Sequence, residues 1–189
     1  MKGEWVYFKK YFTKDFCDKV IKLALEVPAT ESTLGFNSAK TDSSIRRSKL
    51  RWLDPKNPKF QFIFDAYWQV ALKANREWFK FNVLDLPPLQ FTEYDSSYQG
   101  EYKSHQDVFW INPTQNHRKL SMIIQLTDDT TYTGGDLELE NVGEMPNKAD
   151  VRTQGTALLF PSFIYHKLTP VITGKRYSLV GWFEGPKFV

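Results

Sequence analysis

Hydrophobic residues are spaced for helices in the first half of the chain and for strands in the second. Phe16, Val20, Leu23 and Val27 recur at helical intervals,. Thr13 is placed to cap that helix, Asp15 lies in its first turn where the dipole favours an anion, and Pro28 stops it,. Asn57-Pro58 marks a second start, a cap followed by proline in the first helical turn,. Phe60, Ile63, Phe64, Tyr67, Ala71, Ala74 and Trp78 then form a stripe to about residue 80, as a helix packed on a sheet requires,. Residues 5–12 and 49–53 read as short strands. The polar stretch 29–48 reads as a long loop, either a lid over a site or a surface insertion,.

Pro87-Pro88 ends this regime. From Leu89 onward the pattern predicts strands over 89–95, 99–107, 119–127, 136–140, 156–160, 165–171 and 176–183, with no further helix,. Asp128-Asp129, Gly134-Gly135, Gly143 to Asp150, Pro161-Ser162 and Thr173-Gly174-Lys175 supply the turns,. Short strands so spaced predict a mainly β, α+β protein: a double-sheet jelly roll with N-terminal supporting helices against one outer face. A single domain over 1–189 is expected, with 1–88 as the supporting segment and 89–189 as the core; this length can bury roughly 70% of the unfolded surface,.

Composition narrows the function. With 41% hydrophobic and 16% aromatic residues the chain is globular and not disordered,. One cysteine, Cys17, excludes an intramolecular disulfide and a thiolate metal cluster, and fits a reducing, cytoplasmic setting,. The first ten residues hold no uninterrupted apolar run of the secretory kind, and no stretch approaches the roughly 20 apolar residues of a membrane helix,. A net charge of +3 is too small to point to nucleic acid,. The basic cluster Arg46, Arg47, Lys49 and Arg51 reads as a solvated face or, more sharply, as a site for an acidic or extended substrate,.

The chemistry concentrates at His105-Gln106-Asp107. On a strand, residues two apart share a face, so the imidazole and carboxylate would point together and Gln106 away. Of the two remaining histidines, His117 lies in a polar stretch and reads as an exposed loop residue, whereas His166 opens a predicted strand. Two histidines and a carboxylate leave positions open on an octahedral ion, the arrangement suited to non-haem Fe(II) and O2. Ten positions after His166 stands Arg176, then Ser178 and Trp182 on one alternating face,. A guanidinium beside a hydroxyl matches a carboxylate. A divalent ion, Asp107 and Arg176 together leave two positive charges, which one dicarboxylate would neutralise,.

In order, the chain carries Tyr94, Tyr102-Lys-Ser-His105-Gln-Asp107, Arg118-Lys-Leu-Ser-Met-Ile-Ile-Gln-Leu126, Gly134-Gly-Asp-Leu-Glu-Leu139, Gly155 to Ser162, His166 and Gly174 to Trp182. This ordered set, from about Leu89 to Phe188, resembles the 2-oxoglutarate/Fe(II)-dependent dioxygenases of the prolyl 4-hydroxylase type, in their small bacterial and phage form. The resemblance implies a double-stranded β-helix, Fe(II), 2-oxoglutarate and O2 as co-substrates, and ascorbate as a reductant. It matches His105, Asp107 and His166 to the metal triad, and makes these with Arg176 the catalytic set. Arg176 would hold the distal carboxylate of 2-oxoglutarate. Tyr94, with Tyr98 or Tyr102 as substitutes, and Gln125, Ser178 and Trp182 would be further co-substrate contacts, with Leu137 and Leu168 as apolar walls. The substrate it implies is a prolyl residue of a peptide or protein. A free amino acid, small metabolite or nucleobase, or a non-catalytic cupin-like metal-binding module, is the alternative.

Overall fold

A computed structural model describes residues 1, 3–31, 42–111 and 113–189. In chain order the elements are β1 (Val6–Phe8), α1 (Lys14–Leu25), β2 (Thr30–Glu31), β3 (Arg46–Arg47), β4 (Lys49–Leu53) and α2 (Gln61–Ala74). After these come β5 (Leu89–Asp95), β6 (Glu101–His105), β7 (Asn116–Gln125), β8 (Thr133–Gly134), β9 (Leu137–Leu139) and α3 (Lys148–Arg152). The chain closes with β10 (Ala157–Pro161), β11 (His166–Leu168), β12 (Val171–Thr173) and β13 (Lys175–Pro186).

Both long helices begin where side chains can satisfy orphan amides. Thr13 Oγ1 accepts from the Phe16 amide at 3.2 Å. Asn57 Oδ1 accepts from Lys59 at 3.0 Å, and a short 3-10 turn at Pro58–Phe60 leads into α2. A π turn over Asn75–Phe79 ends α2 at Lys80, whose φ of 60° reverses the chain. The Asn75 side chain closes that exit by bonding both the amide and the carbonyl of Phe81, each at 2.8 Å.

Among the described residues the strands form a seven-stranded antiparallel sheet, β1-β10-β7-β13-β5-β4-β2, a four-stranded sheet, β3-β6-β11-β9, and a β12-β8 pair. The central strands of the large sheet are buried on both faces. Leu120, Met122 and Ile124 of β7 and Leu179 and Phe183 of β13 pack with Cys17, Val20, Ile63, Phe64 and Tyr67 from the helices. Tyr67 runs across β13, its hydroxyl donating to the Leu179 carbonyl at 2.6 Å. Gly181 makes that crossing possible, since a Cβ there would sit 2.7 Å from the Tyr67 ring and 2.6 Å from Leu89,. The opposite face carries a second cluster, Ile123, Leu139, Leu158, Phe160 and Ile164.

The mainly β architecture with helices on one sheet face matches the sequence-based expectation. Several boundaries do not. The predicted strand 99–107 stops at His105, and 165–171 divides at Thr169-Pro170 into β11 and β12, since proline cannot donate to a ladder. Two helical turns interrupt the region expected to hold none: Ser96–Tyr98, capped by Asp95, and α3, whose Asn147 side chain accepts from Asp150 at 3.1 Å. Within 29–48, Thr30–Glu31 and Arg46–Arg47 are strands held by pairing with β4 and β6. The lid expectation for that stretch falls mainly on 32–41, outside the described residues. Among the described residues no helix is long and apolar enough to cross a membrane.

Candidate active site

A cavity of about 360 Å3 lies between the two larger sheets, within the size range of small-molecule sites,. From one side Tyr102 and His105 of β6, Leu137 of β9 and His166 and Leu168 of β11 face it. From the other come Tyr94 of β5, Ile123 of β7 and the alternate residues Arg176, Ser178, Val180 and Trp182 of β13.

His105, Asp107 and His166 come together on its wall. His166 stands opposite His105 in the β11–β6 ladder. His105 Nε2 lies 3.8 Å from Asp107 Oδ1, and His166 Nε2 lies 3.6 Å from Asp107 Oδ2. Ligand atoms that each bind one ion at about 2.1 Å can be up to about 4.2 Å apart, and both separations meet that limit. The ring orientations fit as well. His105 Nδ1 is 2.8 Å from the Lys103 carbonyl and His166 Nδ1 is 3.0 Å from the Ile164 carbonyl. A carbonyl only accepts, so each Nδ1 carries the proton and each Nε2 offers its lone pair.

Asp107 reaches this point by a route that strand alternation did not foresee. It lies two residues beyond the end of β6, where its amide and that of Val108 both donate to the Ser162 carbonyl, at 2.9 and 3.0 Å. Ser121 Oγ donates to Asp107 Oδ2 at 2.6 Å and shares a 2.9 Å bond with Ser162 Oγ. Burial by itself would raise the Asp107 carboxyl; the His166 and His105 imidazoles, Arg118 and the Ser121 bond outweigh it and hold it low. Burial, reinforced by His166, pushes the His105 imidazole down to about 3. Both shifts favour the proton-free forms of Asp107 and His105, as a cation site requires,. Two imidazoles and one carboxylate, with no thiolate nearby, make a donor set that fits Fe(II),.

Arg176 is buried on β13, its Nη1 donating to Ser178 Oγ at 3.3 Å and its guanidinium 5.8 Å from the Tyr94 ring. Tyr102 stacks on His105 at 3.5 Å between ring centroids. Gln125 is not brought to the cavity: it pairs with Ser178 across β7–β13, but its amide donates to Tyr132 Oη at 3.0 Å and to the Thr127 carbonyl. Gln106, beyond the strand end, does border the cavity, bonding the Phe163 carbonyl and receiving Trp110 Nε1. His117 is not an exposed loop residue. It is buried on β7, accepting from the Phe188 amide at 3.2 Å and packed against Trp110, with burial holding its pKa down.

Two arginines, Arg46 and Arg118, reach the cavity wall by routes that the strand pattern does not show. The basic cluster with Arg46 reads from sequence as a solvated face or as a site for an acidic or extended substrate; pairing of β3 with Tyr102 of β6 draws Arg46 inside, where it is 7% exposed. Arg118 shares parity with Leu120 and Met122, which would turn it to the helices. A bulge between Phe183 and Glu184 skips Lys119 in the register, and Arg118 falls on the cavity face instead,.

Residues 89–184 match the family described as the 2OG-Fe(II) oxygenase superfamily, half of the chain. The chain belongs to this superfamily. A PKHD-type hydroxylase of Synechococcus is 38% identical over 87 residues, 46% of this chain and 37% of that protein. The chain thus spans little more than a third of that relative. A Pseudomonas putida prolyl-4-hydroxylase superposes with a TM-score of 0.75 at 19% identity, over 97% of this chain and 94% of that one. A Trichoplax adhaerens prolyl hydroxylase, in complex with a hypoxia inducible factor peptide fragment, gives 0.72 at 17% over 96% and 83%. The shared fold is the double-stranded β-helix.

Proposed function

We propose that the protein is an Fe(II)- and 2-oxoglutarate-dependent dioxygenase that hydroxylates a prolyl residue of a peptide or protein. The observation that carries this reading is the convergence of both imidazole Nε2 atoms and the Asp107 carboxylate in one cavity, with the buried Arg176–Ser178 pair on its wall. When bound, Fe(II) with 2-oxoglutarate supplies the O2-dependent oxidation of a C–H bond, releasing succinate and CO2. The protein's part is to hold and orient. His105, Asp107 and His166 present the metal donors; Ser121, Ser162 and two backbone carbonyls lock their rotamers,. Arg176 and Ser178 receive the distal carboxylate of 2-oxoglutarate, with Tyr94 beside them,. Leu137, Leu168, Ile123 and Val180 line the space and exclude water from the reacting centre,.

Residues 89–189 form the catalytic core in this reading, and 1–88 buttress it. The prolyl substrate is supported by the prolyl hydroxylases among structural neighbours. Ascorbate would serve as an accessory reductant, and buried Cys17 fits a reducing cytoplasm,. The test is anaerobic assembly with Fe(II) and 2-oxoglutarate, then O2 and a panel of prolyl peptides, read by mass for the gain of one oxygen atom. Succinate formation and an oxygenated prolyl peptide are expected. His166→Ala should form no succinate; a wild-type rate in that variant would sink the triad assignment.

A further inference from the structure

Arg176 is seated from behind on a turn that does not itself reach the cavity. At the end of β8 the chain passes Gly134 and Gly135 with φ of 68° and 61°, the left-handed region that glycine enters without strain,. That path lets the Gly135 amide donate to the Pro170 carbonyl at 2.9 Å, while Gly134 pairs with Val171 of β12. A Cβ on Gly135 would stand 3.2 Å from Arg176 Cδ, 2.9 Å from Val171 Cγ2 and 3.5 Å from Tyr132 Cε2. The bare face of Gly135 is thus the seat of the Arg176 stem, with Val171 and Tyr132 as its sides. Arg176 lines the cavity, whereas Gly135, Tyr132 and Val171 stand behind it.

Arg152, the last residue of α3, holds this turn from outside. Its guanidinium lies 4.4 Å over the Tyr132 ring. Nη1 donates to the Gly134 carbonyl at 2.6 Å and to Asp136 Oδ1, and Nη2 donates to the Tyr132 carbonyl at 3.3 Å. One planar fork thereby spans residues 132, 134 and 136, which the point charge of a lysine would not. On the inner side Tyr132 Oη accepts from Gln125, the partner of Ser178 across β7–β13. The Asp136 amide donates to Thr169 Oγ1 at 2.8 Å and closes the far end of the turn. Arg152 does not line the cavity, so any influence it has there runs through the turn.

We propose that Arg152 is a positioning residue for the co-substrate: it fixes the Tyr132–Asp136 turn, and through Gly135 the turn sets where Arg176 presents its guanidinium. The inference rests on the dioxygenase reading and adds to it a residue outside the cavity. The metal donors are locked by other contacts, the Lys103 and Ile164 carbonyls and Ser121, none of which belongs to the turn. Loosening the turn therefore spares the metal and the end of the ligand nearest it. The cost falls on the distal carboxylate, whose bonds to a guanidinium depend on alignment.

The test uses the full chain loaded with Mn(II), whose Kd is measured first by calorimetry. The loaded protein is then titrated with 2-oxoglutarate and with 2-oxopentanoate, which has the same carbon skeleton but no distal carboxylate. Wild type should bind 2-oxoglutarate more tightly. Arg152→Gln should raise the 2-oxoglutarate Kd about fivefold or more, the loss of roughly one hydrogen bond, and leave the other two Kd values within about twofold. Arg152→Lys, which keeps the charge and one contact, should fall between. In the Arg176→Ala background Arg152→Gln should add nothing, since the group it positions is gone. An unchanged 2-oxoglutarate Kd in Arg152→Gln, an equal loss for 2-oxopentanoate or Mn(II), or a loss that persists without Arg176 would overturn the proposal. If melting curves show that Arg152→Gln does not fold, Arg152→Lys and Gly135→Ala, which crowds the seat itself, are held to the same criteria. Wild type that binds 2-oxoglutarate no more tightly than 2-oxopentanoate would instead overturn the Arg176 assignment in the dioxygenase reading.

Discussion

Replacing Arg176 with alanine separates binding from chemistry in a way the structure makes quantitative. Arg176 is 4% exposed, bonded to Ser178 at a long 3.3 Å, and forms no ion pair with a described residue. Its distal-carboxylate role would contribute two charge-assisted hydrogen bonds of roughly 1.5–3 kcal/mol each. Losing both at the lower figure costs about 3 kcal/mol, or about two orders of magnitude in the 2-oxoglutarate KM. Because the bonds hold the end that does not react, kcat at saturating 2-oxoglutarate should change far less. Thermal melting provides a second readout. At 2-oxoglutarate 100 times the wild-type Kd, with Mn(II) present, the ligand stabilises wild type by about 2.7 kcal/mol and a hundredfold weaker variant by about 0.4. For a chain of this size that is about 5–10 °C against about 1–2 °C. Without 2-oxoglutarate the variant should be no great casualty, since it removes a buried cation that forms no ion pair with a described residue,. An unchanged KM, or an undiminished 2-oxoglutarate-dependent shift, would refute the reasoning.

Three further outcomes are expected. Ser121→Ala removes the 2.6 Å bond to Asp107 and should weaken Mn(II) affinity by about 10–100-fold; an unaltered titration would deny Ser121 its orienting role,. His105 falls from 6.5 to about 3 on folding, and His117 is depressed in the same direction. The unfolded chain therefore binds more protons below 6.5, so the stabilisation present above that pH drains away as pH falls towards about 3. Urea midpoints of the metal-free protein should decline from neutral pH to about pH 5, and a flat or rising series would contradict the burial of these rings. Gly181→Ala drives a methyl into the Tyr67 ring and Leu89, and should cost about 1–3 kcal/mol by urea unfolding,. Wild-type stability there would mean that Tyr67 does not cross β13 as described.

Side-chain periodicity by itself determined much of this protein. The helical stripe ending in Trp78, the alternation after Pro88 and the caps at Thr13 and Asn57 are local patterns, and local patterns survive translation into structure. The candidate ligands were legible for the same reason, since His105, Asp107 and His166 are scarce residue types in informative spacings. What tertiary structure decided was which way particular side chains face. A one-residue bulge turns Arg118 from the helices to the cavity, and pairing with β6 draws Arg46 inward from a polar stretch. The Ser162 carbonyl holds Asp107 in position past the end of its strand. Packing against Trp110 and Phe188 buries His117, and Tyr132 takes the Gln125 amide away from the site. None of these outcomes has a period to read. Each depends on a partner distant in sequence, which no local pattern of residues encodes.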